Sequence, residues 1–265
     1  MTLVMISAAA SAQEFKYRFV PPVVVEKRLR MFEGNNHKRH DTLKALFEQV
    51  GCTGEDLKDA PVKNETIPNV VCILKGASDR VIIVGAHFDM VDAGSGVVDN
   101  WSGASLLPSI YDGLKAHPRD HTFIFIGFTQ EEKGLIGSED YANKMTKEQI
   151  AKTDAMINMD TLGLGPTAVW GNRADKRLTK DILNVAATME MKLRNINFET
   201  IGSTDSESFA RKKIPVLTVH SITPQTDKYL HSPDDKIEHI DIPEHYKTYK
   251  LVTKFLAYID KTIEK

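Results

Sequence analysis

The sequence predicts an α/β fold, a single three-layer domain in which a largely parallel mixed central sheet is flanked by helices. Three observations carry that expectation. Short continuous apolar runs at 81–84, 121–128, 155–159 and 214–219 have the length and all-round hydrophobicity of strands covered on both faces. Stretches with helical spacing at 102–114, 134–143, 174–191, 206–211 and 243–263 alternate with them. No repeat, low-complexity tract or linker divides the 265 residues, a length that a single α/β domain accommodates.

Taken in order, residues 16–50 are helical in character, with Phe32, Leu43, Leu46, Phe47 and Val50 as apolar faces and Gly51 as the stop. Residues 68–76 read as a strand and a turn. In open sheets of this kind, ligands gather beyond the carboxyl ends of the strands. The polar turns that follow the apolar runs are therefore the places to search for chemistry.

Composition narrows the partners. Hydrophobic residues make up 42% of the chain and charged residues 26%, an ordinary globular balance. A formal net charge of -2 points to neither nucleic acid nor an anionic membrane surface. No apolar stretch reaches the ~18 residues that span a bilayer. Cys52 and Cys72 flank a polar loop; they are read either as a disulfide formed in an oxidising compartment or as two unpaired buried thiols.

Six residues stand where hydrophobic runs end in polar turns: His87, Asp99, Glu131, Glu132, Asp160 and His231. Two imidazoles and four carboxylates can hold a pair of divalent cations and leave one acid to move protons, which points to an enzyme. His87 and Asp89 are two apart at a strand end and share a face, so Asp89 can orient the imidazole as metal-bound histidines require. Asp99 precedes a helix that starts with small residues; a helix cap is the plainer use of an Asp there, but Ser102-Gly103 permits close approach of backbone. Glu131 and Glu132 cannot aim both heads alike, so one can ligate while the other faces bound water; two acids in a helix's first turn is the plainer account. Asp160 ends an apolar strand and His231 lies in a late loop. Trp101, Tyr229 and Phe209 are candidates for an apolar pocket, with core packing as the alternative.

Five blocks in this order, Gly-Ala-His-Phe-Asp at 85–89, Asp-Asn-Trp-Ser-Gly at 99–103, Glu-Glu-Lys-Gly-Leu-Ile-Gly-Ser at 131–138, Asn-Met-Asp at 158–160 and His-Ser-Pro-Asp-Asp at 231–235, resemble the co-catalytic di-zinc aminopeptidases of exported bacterial type. The resemblance implies a zinc-exopeptidase-like fold. It also implies two Zn²⁺ bridged by Asp99, one completed by His87 and Asp160 and the other by Glu132 and His231, with Mn²⁺ or Co²⁺ as possible substitutes. Glu131 would be the general base acting with a zinc-bridging hydroxide, and Asp99-Asn100 would be a cis peptide; Asp89 joins the catalytic set as the residue that orients His87. The implied substrates are peptides with a free N-terminus. The pattern departs at Thr204-Asp205-Ser206, where the family often has Ser-Asp-His, and this puts the shape of the substrate pocket in question.

Related chemistries share the block order. A glutaminyl-cyclase-like acyl transferase would be expected to carry Trp before the last histidine, where Leu230 stands. A carboxypeptidase or dipeptidase of the same superfamily is a further alternative. A binding scaffold like the transferrin-receptor-like relatives would be expected to lose ligands, and here every ligand position is filled. At the N-terminus, an apolar run and Ala10-Ser11-Ala12 before Gln13 look like the end of an export signal, although a positive n-region is missing. Residues 1–12 are thus expected to be a signal remnant and 13–265 the catalytic domain. The protein would then be periplasmic or secreted, or cytoplasmic if 1–12 are no signal.

Overall fold

A computed structural model describes residues 16–197 and 202–263. The signal expected at 1–12 lies outside the described residues. Among these residues, eight strands form one sheet: β1 (Leu57–Ala60), β2 (Asn69–Leu74), β3 (Val81–His87), β4 (Thr122–Phe128), β5 (Thr153–Met159), β6 (Ala168–Val169), β7 (Arg194–Asn195) and β8 (Val216–His220). Their order is β1-β2-β4-β3-β5-β8-β6-β7. The centre is parallel, with β3 between β4 and β5 and β8 beyond β5. The β1–β2, β2–β4 and β6–β8 pairs are antiparallel, so the sheet is mixed as expected.

Side chains that alternate along the central strands feed two separate cores. Ile82, Val84 and Ala86 of β3, Phe123 and Phe125 of β4, and Ala155, Ile157 and Met159 of β5 enter the larger core. Ile83, Ile126, Phe128 and Met156 enter the smaller one. The larger core is closed by α1 (Pro22–Leu29), α2 (Asn36–Gln49), α3 (Ser102–Ala104), α4 (Leu106–Leu114), α7 (Lys176–Ala187) and α9 (Ile242–Thr262). The smaller is closed by α5 (Ile136–Lys144), α6 (Lys147–Lys152) and α8 (Ser206–Ala210). Burying each large apolar side chain contributes about 1.5–3 kcal/mol. This is why both faces of the central strands read as unbroken hydrophobic runs.

Local chemistry sets the helix bounds. Asn35 caps α2, its side chain accepting from the His37 and Lys38 N–H groups. Thr146 and Gln149 form a capping box at α6. The stretch expected as one helix over 102–114 is divided into α3 and α4; Pro108 has no N–H to offer the Ala104 carbonyl. Cys52 and Cys72 are joined as a disulfide with Cα atoms 6.3 Å apart, fastening the turn after α2 to β2.

Candidate metal centre

Because β3, β4 and β5 are parallel, their carboxyl ends open on one edge of the sheet. His87 is the last residue of β3, Glu131 and Glu132 follow β4, and Asp160 follows β5. Asp99 comes from the turn Val97–Trp101 and His231 from the loop before α9. Gly103 lets that turn sit close against β5: a Cβ there would lie 2.4 Å from the Met159 carbonyl oxygen. The Asp99-Asn100 peptide is cis, as the resemblance implied, and so is Asp160-Thr161.

The structure brings all the expected ligands together. Asp99 turns one oxygen to each imidazole, Oδ1 lying 3.3 Å from His87 Nε2 and Oδ2 3.3 Å from His231 Nε2. Asp160 Oδ1 is 3.6 Å from His87 Nε2, and Glu132 Oε2 is 2.6 Å from His231 Nε2. Two triads result, His87–Asp99–Asp160 and Asp99–Glu132–His231, each with its ligand atoms within 4.8 Å of one another. Asp99 belongs to both.

The donor set fits a pair of divalent cations. His87 is buried, and burial alone would lower its pKa; Glu131, Asp160, Asp89 and Asp99 around it more than offset that and raise it well above the ordinary value. His231 is pushed up to about 10 by its hydrogen bonds to Asp99 and Glu132. Burial works to raise the Asp99 carboxyl, but the two imidazoles hold it below the usual range. Both imidazoles are thus driven toward their cationic forms by packed carboxylates, the electrostatic mark of a cluster that needs positive charge. Glu132 Oε1 is also buried without a hydrogen-bond partner.

Other groups hold this cluster in place. Thr161 Oγ1 lies 3.1 Å from Asp99 Oδ1 and 3.0 Å from Asp160 Oδ1. Thr204 Oγ1 donates to Asp160 Oδ2 at 2.8 Å. Asp235 accepts from the Val98 and Asp99 N–H groups at 2.9 and 3.0 Å, joining the loop of His231 to the turn of Asp99. Asp89 Oδ1 approaches His87 Nδ1 only to 3.5 Å, longer than a hydrogen bond. Its oxygens instead accept the Glu131 and Glu132 N–H groups at 3.1 and 3.2 Å, so Asp89 fixes the start of the acidic pair. Sequence reasoning gave no role to Asp235, Thr161 or Thr204; the place of Asp235 four residues after His231 was the one available signal.

A cavity of about 330 Å³ opens onto the cluster, with Glu131 on its wall. Burial, reinforced by Asp160, Asp205 and Asp99 against the opposing His87, raises the Glu131 carboxyl well above its ordinary value. The apolar side of the cavity is Trp170, Ile222 and Leu230. This differs from the trio expected from sequence. Trp101 is fully buried with its indole donating to the Arg28 carbonyl, and Phe209 packs behind the sheet against Phe128. Tyr229 stacks on His239 with ring centroids 4.0 Å apart. Ser206, where the family's histidine is absent, bonds to Thr218 and does not line the cavity.

Residues 69–256, more than half of the chain, match Peptidase family M28. The chain belongs to that family. This M28 chain is 27% identical over 223 residues to the aminopeptidase YwaD of Bacillus subtilis (strain 168), a match covering 79% of this chain and 48% of the relative. Its fold is similar to that of a zinc aminopeptidase from Bacillus subtilis, with a TM-score of 0.67 and 25% identity over 74% of this chain and 51% of the other. A glutaminyl cyclase from an Acidobacteriales bacterium shares the fold at 18% identity and a TM-score of 0.75, covering 96% of this chain and 99% of that one. The M28 chain spans about half the length of the first curated relatives it matches, 48% and 56%.

Proposed function

We propose that this M28 chain is a zinc-dependent aminopeptidase that removes the N-terminal residue from peptides. The observation that carries the reading is Asp99 shared between two triads, one with His87 and Asp160 and one with Glu132 and His231. These five residues would hold two Zn²⁺, and Mn²⁺ or Co²⁺ suits the same carboxylate-rich set. When bound, the ions would supply Lewis acidity and lower the pKa of bound water toward ~7.

The chain's own residues do the rest. Trp170, Ile222 and Leu230 receive an apolar N-terminal side chain, and the acidic wall of the cavity favours a cationic α-amine. Glu131, outside both triads, takes a proton from the attacking water and returns it to the leaving amine nitrogen as the C–N bond breaks. Asp89 keeps Glu131 in place through its main-chain N–H. We also propose an oxidising destination, periplasmic or secreted, supported by the Cys52–Cys72 disulfide and the signal-like residues 1–12.

A second reading, glutaminyl-cyclase-like acyl transfer, is favoured by the full-length match in size and fold to the cyclase. A panel of aminoacyl-anilides, N-blocked peptides and glutaminyl peptides, assayed with and without chelator, separates the two. The aminopeptidase reading expects chelator-sensitive cleavage of unblocked apolar anilides and no turnover of blocked ones. Ammonia release from glutaminyl peptides without anilide cleavage would replace it with the second reading.

A further inference from the structure

Helix α2 contributes no member of either metal triad, yet one of its side chains reaches both loops that do. Arg39 is wholly buried. Its Nε donates to the carbonyl of Phe88, the residue between His87 and Asp89. Its Nη2 donates to the Gly96 carbonyl at 2.8 Å, and its Nη1 donates to the Ser95 carbonyl at 3.3 Å and the Glu33 carbonyl at 3.2 Å. One planar group is therefore bonded to the main chain just after His87 and just before Asp99. The ring of Trp101, two residues past Asp99, lies under the guanidinium with its centroid at 5.3 Å.

The loop is shaped around this group. Gly96 has φ 62, and a Cβ there would sit 3.1 Å from Arg39 Nη1 and 2.5 Å from Met90 Cβ. The same helix grips the His87 loop a second time: Asn36 accepts from the Met90 N–H at 3.0 Å and donates to the Met90 carbonyl at 3.1 Å. Burial lowers the Arg39 pKa to about 10, against the pull of Asp89, Asp235, Asp99 and Glu132, so it stays cationic at neutral pH beside the carboxylates.

We propose that Arg39 is a positioning residue for the metal centre, its guanidinium fork setting the spacing of the loops that present His87 and Asp99 and thereby the affinity for zinc. The proposal rests on the metal-centre reading above. Its N–H···O bonds to those loops all end on main-chain carbonyls, which fixes backbone path without competing for the metal. A lysine keeps the charge but lacks the planar fork that can span several carbonyls.

The test is zinc affinity of the full chain, measured by competition with a chromogenic chelator, alongside melting temperature without metal. Arg39→Met and Arg39→Lys should each weaken zinc binding by about 10-fold or more, the size expected when groups that orient ligands are lost. Asn36→Ala, a milder change on the partly buried rim of the same contact, should weaken it measurably but by less than about 10-fold; unchanged zinc affinity there would overturn the proposal if neither Arg39 variant folds. Folded variants that lose melting temperature but bind zinc as wild type does would overturn the proposal, and so would full recovery by Arg39→Lys. A wild-type chain that binds no zinc would overturn the metal-centre reading itself, and this one with it.

Discussion

Glu131 and Glu132 are neighbours in sequence with separate places in the site. Glu132 meets His231 at 2.6 Å, whereas Glu131 belongs to neither triad and lines the cavity. Replacing Glu131 by Gln keeps the shape and removes the proton acceptor. Metal content should stay at the wild-type value while anilide turnover falls about 10²–10⁴-fold; wild-type turnover in that variant would remove Glu131 from the mechanism. His245, on α9, shows a buried histidine with a different task. Its Nε2 meets the Ser102 carbonyl at 2.8 Å, and burial lowers its pKa to about 4 from 6.5. Between those values the unfolded chain binds the proton and the folded chain does not. Stability is therefore lost as pH falls below about 6.5, by about 2 kcal/mol between pH 7 and 5. Denaturant melts at the two pH values should show His245→Gln losing correspondingly less than wild type; equal losses would contradict this. The proposed ligands were legible in sequence because each ends an apolar run or sits in a dense polar block. Arg39 was not, because its meaning comes from carbonyls 49 and 57 residues away.

Elements were legible in proportion to their hydrophobic length. β3, β4 and β5 stood out because both their faces are buried. β6 and β7 have two residues each, too few to show any period, and are defined only by pairing with distant partners. β1 escaped for a related reason: four residues with two exposed leave no apolar run. Two connections between elements are open to test. Asp235 ties the His231 loop to the Asp99 turn, and Asp235→Ala should weaken zinc binding about 10- to 100-fold; chelator competition showing no change would make that contact dispensable. The Cys52–Cys72 disulfide closes a loop across a separation of 20 residues. A chain-entropy argument gives about 3 kcal/mol for a loop of that size. Paired Cys52→Ser and Cys72→Ser changes should lower unfolding free energy by that amount in urea melts, and no loss would assign the bond no part in stability.

Across the molecule, the sheet edge explains why the order of the sequence blocks and the candidate site agree. The parallel strands β3 and β5 each deliver one proposed ligand and β4 the Glu131–Glu132 pair to the same edge, and two loops from outside the sheet close the ring. That arrangement made the fold class and the candidate site readable together. The pocket wall was not readable, since Trp170, Ile222 and Leu230 lie in separate segments with no shared motif, and the aromatic residues nearest the motifs went to packing. Among the described residues no helix is long and apolar enough to cross a membrane. One centre would hold two ions around a common carboxylate, Asp99. Its most direct test is metal content per chain after equilibration with zinc and removal of excess, for wild type and Asp99→Ala. Two ions per wild-type chain are expected, and both should be lost when Asp99 is replaced. A single ion in wild type, or two retained without Asp99, would contradict it.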